Sequence, residues 1–201
     1  MAARPSGGLL PAEYRQVEWI ASNSYQYIVT DYVPTKWDEI STYVSFGGNT
    51  STTNNCPFSA GTGDYQLVML KSGETIYWKY FQTGGAASEK NVLVSGQRYE
   101  LTVTIQAGTA NGILSINGKT LSSKAAMELD GASTTLWLFR RRNGSYGMNG
   151  SIERFTITNS QLPRLDLIPC IRKSDSKPGM YDTVSKTFYT NAGTGEFTVP
   201  A

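Results

Sequence analysis

The chain has 201 residues, of which 39% are hydrophobic and 17% are charged, and its formal net charge is +2. This hydrophobic content excludes an intrinsically disordered chain, and so small a net charge excludes nucleic acid as the main partner. The sequence contains no histidine, which excludes His-dependent triads and Cys–His zinc sites.

The N-terminal residues show no structural pattern and lack the apolar segment of a signal peptide. We expect residues 1–9 to form a linker or flexible N-terminus. We expect residues 10–201 to form a single β-sandwich domain, because all-β domains of about 200 residues often fold undivided. No stretch approaches the roughly 20 apolar residues of a membrane-spanning helix, so we expect no membrane insertion.

Alternating apolar residues predict strands through the first half of the chain. Residues 40–46 place Ile40, Thr42, Val44 and Phe46 on one face, which is the pattern of a half-buried strand. The other predicted strands in this half are residues 14–20, 25–32, 57–60, 65–70 and 75–81, and residues 47–55 are predicted to be a polar loop.

The second half carries the clearest local signal, the pair Asn117–Gly118. Both residue types accept the positive φ angles of a type I′ turn, so the pair predicts a β-hairpin. Ile152 is out of phase with Phe155 and Ile157, which predicts a β-bulge near Glu153 and Arg154. Further predicted elements are a strand at residues 99–105, a short helical turn within residues 123–129, strands at residues 134–140, 151–158, 165–171 and 187–189, a turn at residues 173–177 and a loop at residues 191–195.

About a dozen short strands without a convincing helix predict an all-β fold, an antiparallel two-sheet β-sandwich of the jelly-roll type. Cys56 and Cys170 are the only cysteines. A disulfide between them is possible, but two buried free thiols fit better, because one pair does not form a disulfide framework.

Two regions of the chain resemble a known domain family. One is the N-terminal run LPAEYRQVEWIAS from Leu10 and its continuation YQYIVTDYVP from Tyr25; the other comprises the C-terminal runs IPCIR, GMYD and FYTNAGTGEF. They are similar to concanavalin A-like domains of the LamG or pentraxin type, which are common in proteins of gut bacteria and their phages. The resemblance spans nearly the whole chain from Leu10 and implies the jelly-roll fold, but it is weak for any one activity.

Relatives with this fold include β-glucanases, which need two carboxylates flanking the scissile bond. The nearest pattern here is Glu128–Leu129–Asp130, and no second glutamate follows it. The resemblance also raises calcium as a cofactor, because many such domains bind it through side-chain and backbone oxygens. The available carboxylates are Asp31, Asp64, Asp166 and Asp182, and at each we favour a turn-capping role, so no cofactor is predicted with certainty.

The candidate ligand surface is a basic loop with aromatic neighbours. Aromatic rings stack on the apolar faces of sugars, while polar side chains bond the hydroxyls or an acidic sugar's carboxylate. We expect Trp78 and Trp137 to pack in the core and Trp37 to be exposed. The predicted ligand-binding residues are Arg140, Arg141, Arg142, Asn143, Tyr146, Trp37 and Tyr43.

We therefore expect a non-catalytic binding or adhesion module for a cell-surface carbohydrate, on a phage particle or a bacterial surface. The alternative is a structural or assembly domain of a virion appendage without glycan affinity, whose partners would be other protein subunits or copies of itself. A glycoside hydrolase is the third and weakest hypothesis. The expected location is extracellular or on a virion surface.

Overall fold

The computed structural model describes residues 10–47, 54–61, 67–72, 75–81, 87–90, 93–105, 112–123, 130–142, 144 and 146–201. These residues form sixteen β-strands. The strands are β1 (Tyr14–Gln16), β2 (Ile20–Asn23), β3 (Ile28–Val29), β4 (Asp38–Phe46), β5 (Asn54–Ala60), β6 (Leu67–Ser72), β7 (Thr75–Tyr80), β8 (Ala87–Lys90), β9 (Arg98–Ile105), β10 (Gly112–Ile116), β11 (Lys119–Ser123), β12 (Trp137–Leu138), β13 (Asn149–Asn159), β14 (Leu162–Arg172), β15 (Pro178–Asp182) and β16 (Phe188–Thr190). Among these residues, no helix is long and apolar enough to cross a membrane.

The described strands pair antiparallel into two sheets, which confirms the predicted β-sandwich. The larger sheet runs β11-β10-β9-β4-β13-β14-β15-β16, with β2 beside β13 and β1 beside β14. The smaller sheet runs β3-β12-β5-β6-β7-β8. The two sheets enclose one apolar core, to which β4 contributes Ile40, Val44 and Phe46 and β9 contributes Tyr99, Leu101 and Val103, as their alternation predicts.

Two local predictions are confirmed by the backbone. Asn117 and Gly118 have φ angles of 50° and 75° between β10 and β11, as a type I′ turn requires. The pairing of β13 with β4 shifts register between Ile152 and Phe155, which is the predicted bulge. The bulge lets Ile152 and Phe155 both reach the core, where each is fully buried.

Three other predicted strands are longer than the strands in the structure. Residues 14–20 contain β1 and the start of β2, and residues 25–32 contain only β3. Residues 134–140 keep only β12, because Phe139 takes a φ of 65° and turns its ring into the core. Residues 54 and 55 of the predicted polar loop belong instead to β5. The helical turn predicted within residues 123–129 and the linker at residues 1–9 lie outside the described residues.

Both cysteines are buried free thiols, as predicted. Cys56 lies on β5 of the smaller sheet and Cys170 on β14 of the larger one. Burial raises the pKa of each thiol to about 12. Both groups are therefore protonated at neutral pH and are poor nucleophiles.

Candidate functional site

A concave pocket of about 340 Å³ opens on the larger sheet. We call it the sheet pocket. Its lining combines the half-buried indole of Trp19 with small residues and polar side chains. The lining residues are Trp19, Ala21, Ser22, Asn23, Gln26, Ser45, Gly47, Asn149, Gly150, Ser151, Glu196 and Thr198.

Strand register creates this pocket. Ser151 of β13 lies between Ala21 of β2 and Ser45 of β4, so three small side chains meet in one row. Gly150 has a φ of 147°, and a Cβ atom there would clash with the backbone oxygen of Ser45. The row therefore lacks the side-chain bulk that fills the other positions of a sheet face, and a depression remains.

The rim of the pocket is held by a glutamine and by the C-terminal segment. Gln26 accepts a hydrogen bond from the Asn23 backbone N–H (2.9 Å) and donates from Nε2 to the Thr194 oxygen (3.0 Å). Ala21 and Thr198 exchange two backbone hydrogen bonds of 2.8 and 3.0 Å. These contacts bring Glu196 to the pocket although it lies far from Trp19 in sequence.

Several polar side chains in the pocket have no protein partner. Within the described part of the chain, the side chains of Asn23, Ser45, Asn149, Ser151 and Glu196 make no hydrogen bond or ion pair. They supply amide and hydroxyl donors together with amide, hydroxyl and carboxylate acceptors. An indole beside such groups can bind a ligand that has an apolar face and several hydroxyls.

The structure brings part of the predicted ligand-binding set together on the smaller sheet. The Tyr27 and Trp137 rings stack with centroids 4.9 Å apart and planes 11° from parallel. Guanidinium groups lie against these rings and against Tyr146. We call Tyr27, Trp137, Arg140, Arg141, Arg142 and Tyr146 the arginine surface; Asn143 lies outside the described residues.

The other two predicted ligand residues lie elsewhere. Trp37 is 50% exposed just before β4, as expected, and the Lys36 ammonium lies 5.1 Å from its ring centroid. Tyr43 lies on β4, where its hydroxyl donates to Glu100 (3.1 Å) and the Arg98 guanidinium lies 3.6 Å from its ring centroid. Trp78 is a core residue as predicted, whereas Trp137 is only partly buried.

Three of the four carboxylates considered for calcium make contacts within the fold. Asp182 accepts hydrogen bonds from the backbone N–H groups of Val184 and Ser185, so it caps a turn as predicted. Asp166 binds Arg154 at 2.6 Å, and Asp31 lies 3.4 Å from the Tyr189 hydroxyl. Among the described residues, no three Cys, Asp or Glu side chains are grouped as metal ligands; Asp64 is outside them.

The carboxylate pattern weighed for a glucanase site lies only partly within the described residues. Glu128 and Leu129 are outside the described residues. Asp130 is exposed and forms an ion pair with Lys36 at 2.6 Å, and this hydrogen bond and charge hold its pKa below the usual range. Asp130 therefore belongs to a surface ion pair.

Comparisons with known proteins support the fold. No protein-family model and no curated protein matches the sequence. A candidate carbohydrate-binding protein from Bacteroides ovatus matches 92% of this chain with a TM-score of 0.65 at 14% identity, and the chain spans 60% of that protein's length. A heptameric SAP-like pentraxin from Limulus polyphemus matches 92% of this chain and 95% of its own, with a TM-score of 0.57 at 10% identity.

A third solved structure is the CBM40 of an IT-sialidase from Ruminococcus gnavus, bound to α2,3-sialyllactose. It matches 75% of this chain and 91% of its own, with a TM-score of 0.51 at 12% identity. At such identities the similarity shows a shared jelly-roll fold, and the chemistry of this chain's site must be argued from its own residues.

Proposed function

We propose that the domain is a non-catalytic carbohydrate-binding module and that the sheet pocket is its sugar site. The observation that carries the proposal is the partly exposed indole of Trp19 beside five polar side chains that have no partner among the described residues. A pyranose presents apolar C–H groups on one face and hydroxyls around its edge, so it complements both parts of this lining.

A hydrolytic role has less support. Glycoside hydrolysis generally uses two carboxyl groups on either side of the bond, whereas Glu196 is the only carboxylate among the described residues that line the pocket. Two of the three similar solved structures are a candidate carbohydrate-binding protein and a CBM40 bound to sialyllactose, which agrees with a binding module. The proposed ligand is a surface glycan, and the proposed setting is the outside of a bacterium or a phage particle.

The test is a glycan-array screen of the purified chain, with and without calcium. We expect binding by the native sequence and at least a tenfold loss of affinity in Trp19→Ala, because the apolar contact is removed. Trp37→Ala is the matched control, since that indole is also partly exposed but lies outside the pocket. Binding that survives Trp19→Ala would refute this pocket as the site.

A second candidate function is subunit assembly. Val33 and Trp37 are 45% and 50% exposed in the connection between β3 and β4. Asn159, at the end of β13, approaches Thr35 of the same connection (3.4 Å), and Leu162, which pairs with Asn159, is 58% exposed. Absence of glycan binding together with an oligomer that Trp37→Arg dissociates in sedimentation velocity would favour this function over sugar binding.

A further inference from the structure

The three consecutive arginines 140–142 lie against aromatic rings. The guanidinium carbon of Arg140 lies 5.1 Å from the Tyr27 ring centroid, that of Arg141 lies 5.6 Å from Tyr146, and that of Arg142 lies 5.6 Å from Trp137. The loop is also fixed through its backbone, because Ser59 Oγ donates to the Arg140 oxygen and accepts from the Arg142 N–H. The three cations are therefore held in place before any ligand arrives.

Among the described residues, these arginines differ from Arg98, Arg154 and Arg172 in having no carboxylate partner. Arg98 binds Glu153, Arg154 binds Asp166 and Arg172 binds Asp175. Among the described residues, the side chains of Arg141 and Arg142 make no hydrogen bond, and Arg140 donates one, to the Gly144 oxygen (2.7 Å). Three adjacent positive charges without a counter-charge repel one another, and a bound anion would relieve that repulsion.

We propose that the arginine surface binds the anionic oxygens of an acidic polysaccharide, and that it does so independently of the sheet pocket. A guanidinium held on a ring still presents its N–H edge, which matches the paired oxygens of a carboxylate or a sulfate. The stacked rings of Tyr27 and Trp137 cover one face of each other, so this surface is better suited to charge recognition than to sugar stacking.

Biolayer interferometry tests the proposal by measuring binding to three polymers that share the same backbone: dextran, carboxymethyl-dextran and dextran sulfate. We expect binding to one or both charged polymers and none to dextran. We expect Arg141→Gln/Arg142→Gln to weaken that binding at least tenfold. Binding to carboxymethyl-dextran alone would assign a carboxylate ligand, and binding to dextran sulfate alone a sulfate ligand.

The control variant is Arg15→Gln/Lys119→Gln, which removes the same charge from exposed positions elsewhere. Equal losses of charged-polymer binding in the two double variants would overturn the proposal, because binding would then depend on net charge only. The absence of binding to either charged polymer at low salt would overturn it as well. Arg141→Lys/Arg142→Lys keeps the charge without the planar fork, and we expect at least a threefold loss there.

Two further measurements check that the variants are folded and that the arginine surface acts separately from the sheet pocket. Thermal unfolding of each variant shows whether a loss of binding reflects a loss of folding. Trp19→Ala should leave binding to the charged polymers unchanged, so failure of the sugar pocket and failure of the arginine surface give different results. Loss of charged-polymer binding in a folded Trp19→Ala variant would contradict the independence of the two sites.

Discussion

Asp38 is a fully buried carboxylate at the start of β4. It accepts hydrogen bonds from the Tyr32 hydroxyl (2.8 Å), the Thr35 backbone N–H (2.7 Å) and Asn159 Nδ2 (3.1 Å), so it joins the β3–β4 connection to the end of β13. Asp38→Ala should lower the free energy of unfolding in urea by about 3 kcal/mol, because several buried donors lose their acceptor. Asp130→Ala, which removes an exposed ion pair, should leave the free energy of unfolding nearly unchanged. Equal losses of unfolding free energy in the two variants would contradict the structural role of Asp38.

Asp166 makes stability depend on pH. Burial opposes ionisation of this carboxyl, but hydrogen bonds from Arg154 (2.6 Å) and Thr183 (2.7 Å) outweigh it, and the pKa is lowered. A lowered folded-state pKa gives stability that is present above the ordinary pKa of about 4 and is lost as pH falls through the folded value.

Asp166→Asn should therefore destabilise the protein by about 1–2 kcal/mol at neutral pH, with a difference that shrinks below about pH 4. Urea unfolding curves collected across this pH range measure the effect. A difference that stays constant down to about pH 3 would mean that the variant acts through packing and not through the charge of Asp166.

At the scale of elements, alanine substitutions at two glycines with positive φ angles can distinguish the cost of backbone strain from the cost of a steric clash. Gly118 has a φ of 75°, and a Cβ atom there would meet nothing within 4 Å, whereas at Gly150 it would clash with β4. Gly118→Ala should cost about 1 kcal/mol, the conformational penalty alone. Gly150→Ala should cost about 3 kcal/mol or more, because the β4–β13 pairing must open. Similar thermal shifts for both variants would show that the sheet adapts without this cost.

The strands show which parts of the fold local sequence patterns can predict. β4, β9 and the β10–β11 hairpin could be predicted because strict alternation and the Asn–Gly pair are local signals. The end of β12 could not be predicted, because a positive φ angle at Phe139 redirects the chain directly after that strand. Such backbone angles at residues other than glycine depend on tertiary packing, which a single sequence does not contain.

The sheet pocket was missed in the sequence for a related reason. Its wall and floor come from residues 19–26, 45–47, 149–151 and 196–198, and only the register of β2, β13 and β4 brings these together. Trp19 is the one available signal, an aromatic residue within the strand predicted at residues 14–20. The cluster of arginines 140–142 with Tyr146 could be predicted because those residues are adjacent in the chain.

At the scale of the whole molecule, one short segment connects the two proposed sites. Asn23 and Gln26 line the sheet pocket, while the ring of Tyr27 lies in the arginine surface. Tyr27 is fixed by Asn191, which accepts a hydrogen bond from its backbone N–H (3.1 Å), and Gln26 is fixed by Thr194. The same C-terminal loop thus supports both sites, so changes in that loop should affect both.

The reactivity of the two cysteine thiols can test whether the sandwich unfolds as one unit. Cys56 lies in the smaller sheet and Cys170 in the larger one, and one core cluster joins the sheets. Because burial raises both thiol pKa values to about 12, neither should react with a disulfide reagent at pH 8 in the folded state. Both should become reactive with the same dependence on urea, because opening either sheet exposes the shared core.

Single-thiol variants assign the reaction to each sheet. Cys170→Ala leaves Cys56 as the reporter of the smaller sheet, and Cys56→Ala leaves Cys170 as the reporter of the larger one. We expect each reporter's opening free energy to equal the global unfolding free energy of that same variant, which corrects for the cost of removing the other thiol. If Cys56 reacts at a urea concentration where Cys170 is still protected, the smaller sheet opens alone. The arginine surface, which is built on that sheet, would then be the less stable of the two proposed sites.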